Sequence, residues 1–183
     1  MEPRLSALFP AHFREIEARA QDALARVGFD AMVVHSGSHR PRSSFDDQDW
    51  PLRVVPTFLH FLPWSAPDAF LVVHQTGPSR LGYVHTESFW ELSEEPDLTL
   101  LHGLLEPRRL RDREAMRALL PAGRAAFVGE DHAVAHALGF TELNPKPLVD
   151  GLEDARVSKT AFELEALREA SLRAARGHRA AEQ

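Results

Sequence analysis

Three aspartates stand close together in the stretch SSFDDQDWP: Asp46, Asp47 and Asp49. Carboxylates on a loop can hold a cation, act as a general base or receive a positive group of a substrate. Asp near Pro is also ordinary turn chemistry, so the residues alone leave both readings open. A second candidate is the pair His132 and His136 in EDHAVAHALG, four apart and therefore on one face of a helix, with Glu130 and Asp131 beside them. The intervening Ala-Val-Ala lacks the glutamate of an HExxH metalloprotease helix, so no base sits between the two imidazoles and a helix with two half-exposed histidines is the plain reading. His35, His60, His74, His85 and His102 stand in or beside apolar runs, where a histidine is usually structural. Ser36 beside Gly37 in HSGSH lacks the flanking pattern of a G-x-S-x-G elbow. No Gly-rich phosphate loop or Walker motif occurs, and the absence of cysteine excludes thiolate catalysis, disulfides and Cys-containing zinc sites.

These candidates need elements to position them. The acidic loop lies inside residues 35–58, HSGSHRPRSSFDDQDWPLRVVPTF, a polar connection that reads as neither helix nor plain strand. Connections of that length without their own apolar period are uncommon in compact domains and are usually functional or disordered. Before it, Phe13, Ile16, Ala20, Leu24 and Val27 recur at steps of three and four, which predicts an amphipathic helix over 10–27. Gly28 then stops the helix, and FDAMVVHSG reads as a buried strand. After the connection TFLHFLPW and AFLVVHQTG are strand candidates, with RLGYVHT as hairpin partner of the second across QTGPS. DLTLLHG is expected to be a further strand, DREAMRALLP a short helix, RAAFVGE a buried strand and DHAVAHALG a helix opened by Asp131 and stopped by Gly139. The order predicts an α/β domain on a mixed β-sheet flanked by helices.

With 183 residues and 44% hydrophobic side chains the chain can bury a sizeable core. Its net charge of −6, from 27 acidic and 21 basic residues without a long block of either sign, suits neither a nucleic-acid partner nor an anionic membrane. The first residues carry charges throughout and lack the apolar core of an export signal, so a cytoplasmic location is expected. At the other end, Thr160 and Glu163 have capping-box spacing and open a helix whose face of Leu164, Leu167, Ser171, Ala174, Ala175, His178 and Ala181 has no evident partner. That helix has no stop signal, which leads to the expectation that it continues into a second domain.

HSG followed by FDDQDWPLRVVPTF resembles the N-terminal domain of bacterial Xaa-Pro dipeptidases, the prolidases of the creatinase and aminopeptidase P ("pita-bread") metallopeptidase family. Further pieces follow in family order: RAAFVGE, ALGFTELNPKPLVD and the helix RVSKTAFELEALREASLRAARGHRAAE. The stretch RVVPTFLHFLPW departs from the family at Val55 and Phe61. The resemblance implies a creatinase/prolidase N-terminal α/β domain, ribonuclease H-like, over 1–157, and over 158–183 the start of a helix leading into a pita-bread catalytic domain that is absent here. It further implies hydrolysis of dipeptides with C-terminal proline by two divalent ions, manganese foremost, held by that other domain, so neither a catalytic residue nor a metal ligand is expected in these 183 residues. The expected role of this domain is to form a homodimer and lend part of the active-site rim to the partner subunit. The second acid of the DD pair, Asp47, is the expected substrate-binding residue, with Asp46 a lesser candidate. A self-standing, non-catalytic α/β module for dimerisation or ligand binding is the alternative.

Overall fold

The computed structural model describes residues 3–45, 47–85 and 96–182. A first helix α1, Pro3–Val27, starts earlier than the periodicity indicates and carries Pro10 within it. It feeds strand β1, Ala31–His35, through Gly28 at φ +73°. After the long connection come helix α2 (Pro56–Phe61) and the hairpin of β2 (Ala69–His74) and β3 (Arg80–Val84). A 3-10 turn at Thr99–Leu101, strand β4 (Pro107–Leu110), a 3-10 helix at Arg113–Leu119 and strand β5 (Ala125–Val128) follow. Helices α3 (His132–Ala137), α4 (Lys146–Ala155) and α5 (Ala161–Ala181) complete the order.

The five strands form one sheet in the order β4-β3-β2-β1-β5. β1 pairs antiparallel with β2 and parallel with β5, while β3 pairs antiparallel with β2 and parallel with β4, so the sheet is mixed as expected. Both faces are covered. Met32, Val34, Leu71 and Val73 point into a core with Phe9, Phe13, Ile16 and Leu24 of α1, Phe58 and Phe61 of α2, and Leu148 and Leu152 of α4. Ala31, Val33, Phe70 and Val72 point the other way, into a core with Met116, Phe127, Val134 and Ala135. Double coverage explains why β1 and β2 are buried at every position and read as unbroken apolar runs instead of alternating ones.

Two expected strands are not strands. TFLHFLPW holds α2, because Pro56 sits in its first turn and the three-residue spacing of Phe58 and Phe61 lays both rings into the core. DLTLLHG holds the 3-10 turn, which buries Leu101 alone. Strand β4 and helix α4 went unanticipated. β4 is a short edge strand, PRRL, whose two arginines are exposed, and α4 begins between two prolines yet buries Leu148 and Leu152 against α1.

The start of α5 is fastened by a chain of polar groups. Glu163 N–H donates to Thr160 Oγ1 at 3.3 Å and Thr160 N–H donates to Glu163 Oε2 at 2.9 Å, the reciprocal capping box that the spacing predicts. Thr160 Oγ1 also lies 2.8 Å from Nδ1 of His12 on α1, whose Nε2 lies 2.9 Å from the carbonyl oxygen of His60 on α2. A carbonyl can only accept, so Nε2 carries a proton; burial favours the neutral form of His12, in which Nδ1 accepts the threonine hydroxyl. Its ring stacks on Phe162 at 4.8 Å. In the next turn Glu165 is buried and pairs with Arg4 of α1 at 3.1 Å, while Leu164, Leu167 and Leu172 are exposed.

Burial lowers the pKa of His12, against the carbonyl of His60 and the charges of Glu163 and Glu15, and it lowers that of His60, against Glu163. The unfolded chain therefore binds more protons than the folded one below the ordinary histidine value near 6.5. Stability is full above that pH and is lost as pH falls through it, by up to about 1.4 kcal/mol per pH unit for each group. The urea midpoint is expected to drop between pH 7.5 and 5.5, and to drop less in His12→Gln. Equal slopes in the two proteins would contradict the assignment.

Candidate functional site

The long connection begins and ends on a single buried residue. Ser36 N–H donates to Ala69 O at 2.9 Å, Ser36 O accepts from Val55 N–H at 2.9 Å, and Ser36 Oγ accepts from Ala69 N–H at 3.0 Å. The end of β1, the start of β2 and the return of the connection are thereby joined at one point. Gly37 follows at φ +117°, and a Cβ there would stand 3.2 Å from Arg53 O on the returning segment, so both the backbone angle and the close approach favour glycine.

Between these closed ends the chain forms a projecting hairpin. Arg42 N–H donates to Gln48 O at 2.9 Å and Trp50 N–H to Arg40 O at 2.8 Å, around an antiparallel bridge of Pro41 with Asp49. The Arg42 guanidinium lies 5.3 Å from the centre of the half-exposed Trp50 ring and bonds Gln48 Oε1 at 3.0 Å. His39 Nδ1 is 3.7 Å from Asp49 Oδ2, stitching the two sides of the stem a second time. The tip carries Phe45, fully exposed, and Asp47, also exposed, whose carboxylate takes no partner among the described residues. Asp46 lies outside the described residues.

A polar cluster sits under the root of the hairpin. Asp68, just before β2, accepts from Arg113 through two bonds of 2.8 Å and from Ser38 Oγ at 2.8 Å. His35 Nε2, at the buried end of β1, is 3.4 Å from Asp68 Oδ1, and its ring stacks on Phe70 at 4.7 Å. Burial alone would push the Asp68 carboxyl up, but His35, Arg113 and Ser38 outweigh it and hold the pKa at about 2. Asp131 caps α3 by accepting from Val134 N–H at 3.2 Å and lines, with Ser38 and Arg113, a cavity of about 440 Å³. A smaller cavity of about 290 Å³ opens on the other side of Ser38, beneath Trp50 and Arg53. No sequence motif announced this cluster: Asp68 reads as turn chemistry in SAPDAF, and Arg113 lies 45 residues further on.

The structure separates the other candidates. His132 and His136 are both exposed on α3, and His132 Nε2 is 3.4 Å from the side-chain nitrogen of Asn144. Among the described residues no three His, Asp or Glu side chains gather where a metal could be held. No described helix is long and apolar enough to cross a membrane. Gly37→Ala should destabilise the fold by about 1–3 kcal/mol, through its backbone angle and the contact with Arg53 O, read as a lowered Tm. An unchanged Tm would show that the closure at Ser36 tolerates a side chain there.

Comparison with known proteins places this arrangement. A family model described as "Xaa-Pro dipeptidase, N-terminal domain" matches residues 7–153. The Xaa-Pro dipeptidase of Xanthomonas axonopodis pv. citri is 36% identical over 184 residues, covering 99% of this chain and 41% of the relative. That of Pseudoalteromonas atlantica is 32% identical over 182 residues, covering 97% and 41%. Among solved structures, proline aminopeptidase P II from Yersinia pestis aligns over 86% of this chain and 42% of its own, with a TM-score of 0.47 and 18% identity. The chain thus spans about two fifths of the length of the curated relatives it matches. With its whole five-stranded sheet inside the matched region, the chain belongs to the family of Xaa-Pro dipeptidase N-terminal domains.

Proposed function

We propose that residues 1–157 are the N-terminal module of a metal-dependent Xaa-Pro dipeptidase of the cytoplasm, and that residues 158–183 begin the helix leading to its catalytic domain. In this reading the module pairs two subunits and lends its hairpin to the active-site rim of the partner. The metals, manganese foremost, belong to the catalytic domain and take no ligand from this one. The observation that carries the reading is the position of Asp47: a carboxylate without a partner among the described residues, at the tip of a hairpin whose stem is closed at its base.

The chemistry follows from charge. A dipeptide ending in proline has a free α-ammonium, and a carboxylate within hydrogen-bond reach makes a charge-assisted bond with it. A longer peptide has an amide where the ammonium would be, so the same acid disfavours it. Asp47 suits this task because its charge is not already neutralised by an arginine, as that of Asp68 is. The exposed tip at Phe45 and Asp47 also has a reason to project, since in this reading it crosses to another subunit instead of packing on its own.

Two measurements test the reading. In a manganese-supplemented assay of Ala-Pro and Leu-Pro, activity is expected from a chain extended through the catalytic domain and not from the 183 residues alone. In the extended enzyme Asp47→Ala should raise KM for Ala-Pro by about tenfold or more, the scale of a lost hydrogen bond between charged groups, with a smaller change in kcat. Hydrolysis by the short chain, or unchanged KM and kcat in the variant, would overturn it.

A further inference from the structure

If Asp47 meets a substrate at the end of the hairpin, something must set the hairpin's direction. We propose that Asp68 is a positioning residue for Xaa-Pro hydrolysis: by gripping Ser38 at the hairpin root while locked to Arg113, it sets where Asp47 lies against the substrate ammonium. This inference rests on the reading of Asp47 given above.

The closure at Ser36 fixes where the hairpin starts but not its tilt. The next residue, Gly37, has no side chain and sits at φ +117°, so it is the point about which the stem would swing. Ser38 is the first residue of the stem beyond that point, and its hydroxyl donates to Asp68 Oδ1 at 2.8 Å. Asp68 in turn is unusually well fixed. Its N–H donates to Gly37 O at 2.8 Å, its carbonyl accepts from Val84 N–H at 3.1 Å, and its backbone is at φ +49°, a conformation that Asp tolerates but seldom adopts. The two parallel bonds from Arg113 hold the carboxylate plane, leaving Oδ1 aimed at Ser38.

Leverage makes this contact matter. At ~3.3 Å per residue the stem from Ser38 to the turn reaches ~16 Å, so a rotation of ~10° about Gly37 moves the tip by ~3 Å. Such a displacement separates a hydrogen bond from no contact at all. The Ser38 bond to Asp68, added to the backbone bond from Asp68 N–H to Gly37 O, therefore bears on a contact made at the tip, although Asp68 touches no substrate.

The experiment is a double-mutant cycle in the extended enzyme, using Ser38→Ala and Asp68→Asn, each with and without Asp47→Ala, and Ala-Pro as substrate. Ser38→Ala leaves the Asp68 pair with Arg113 in place, so it keeps the test available if Asp68→Asn fails to fold. Each variant is expected to raise KM about fivefold with kcat within twofold, the scale of one hydrogen bond. In the Asp47→Ala background neither should raise KM further, because the group being positioned is gone. An unchanged KM, or the same rise in both backgrounds, would overturn the positioning role while leaving Asp47 as the ammonium contact. A KM unaffected by Asp47→Ala itself would overturn the reading of Asp47 and the positioning role together.

Discussion

Ser36, wholly buried where β1 ends, is the constraint on which the long connection and its hairpin depend. Three chain segments meet there through its N–H, its carbonyl and its hydroxyl, and each bond satisfies a backbone group that burial would otherwise leave unpaired. Closing a loop costs entropy that grows only slowly with its length, so once the ends are joined a long excursion adds little to that cost. The connection can then be spent on a projecting hairpin without loosening β1 and β2, which are paired along their whole length on the inner side of the junction. A polar hairpin and a rigid sheet are thus compatible because they share one well-satisfied junction.

The same separation of tasks recurs at the other end of the fold. The apolar cores on the two faces of the sheet fix α1, α2 and α4, and the capping box of α5 is attached to that body through His12 and the carbonyl of His60. Only the first turn of α5 is held in this way; Leu164, Leu167 and Leu172 further along are exposed. The hairpin and the last helix are both polar-anchored projections from a doubly covered sheet. In each the anchoring contacts lie at the root, and apolar residues beyond it are exposed: Phe45 and Trp50 on the hairpin, Leu164, Leu167 and Leu172 on α5.

Much of this was legible in the sequence wherever one residue pattern has one structural meaning. The helix α1, the strands β1, β2, β3 and β5, and the capping box of α5 follow from periodicity, turn chemistry and the Thr160 to Glu163 spacing. Short apolar runs are ambiguous, and TFLHFLPW was misread because five apolar residues among eight suit a strand as well as one helical turn and a half. The edge strand β4 was missed because an exposed PRRL buries too little to show a period, and α4 because the prolines at its start look like a loop. The length and polarity of the acidic connection were legible, while Asp47 was singled out on it only through family likeness. Asp68, Arg113 and His12 were not, since each acts through a partner 30 or more residues away and no local spacing marks such pairs.

The central claim is that the hairpin of one subunit completes the substrate site of another. Mixing subunits tests it most directly. Extended enzyme carrying Asp47→Ala, impaired at low Ala-Pro concentration, is unfolded and refolded together with subunits that keep Asp47 but are inactivated in their catalytic domain. The account predicts that mixed dimers regain the low KM, because the inactive subunit supplies an intact Asp47 to the active site of the other. If activity at low substrate stays at the level of the two parents alone, Asp47 does not act across the subunit boundary and the account is contradicted.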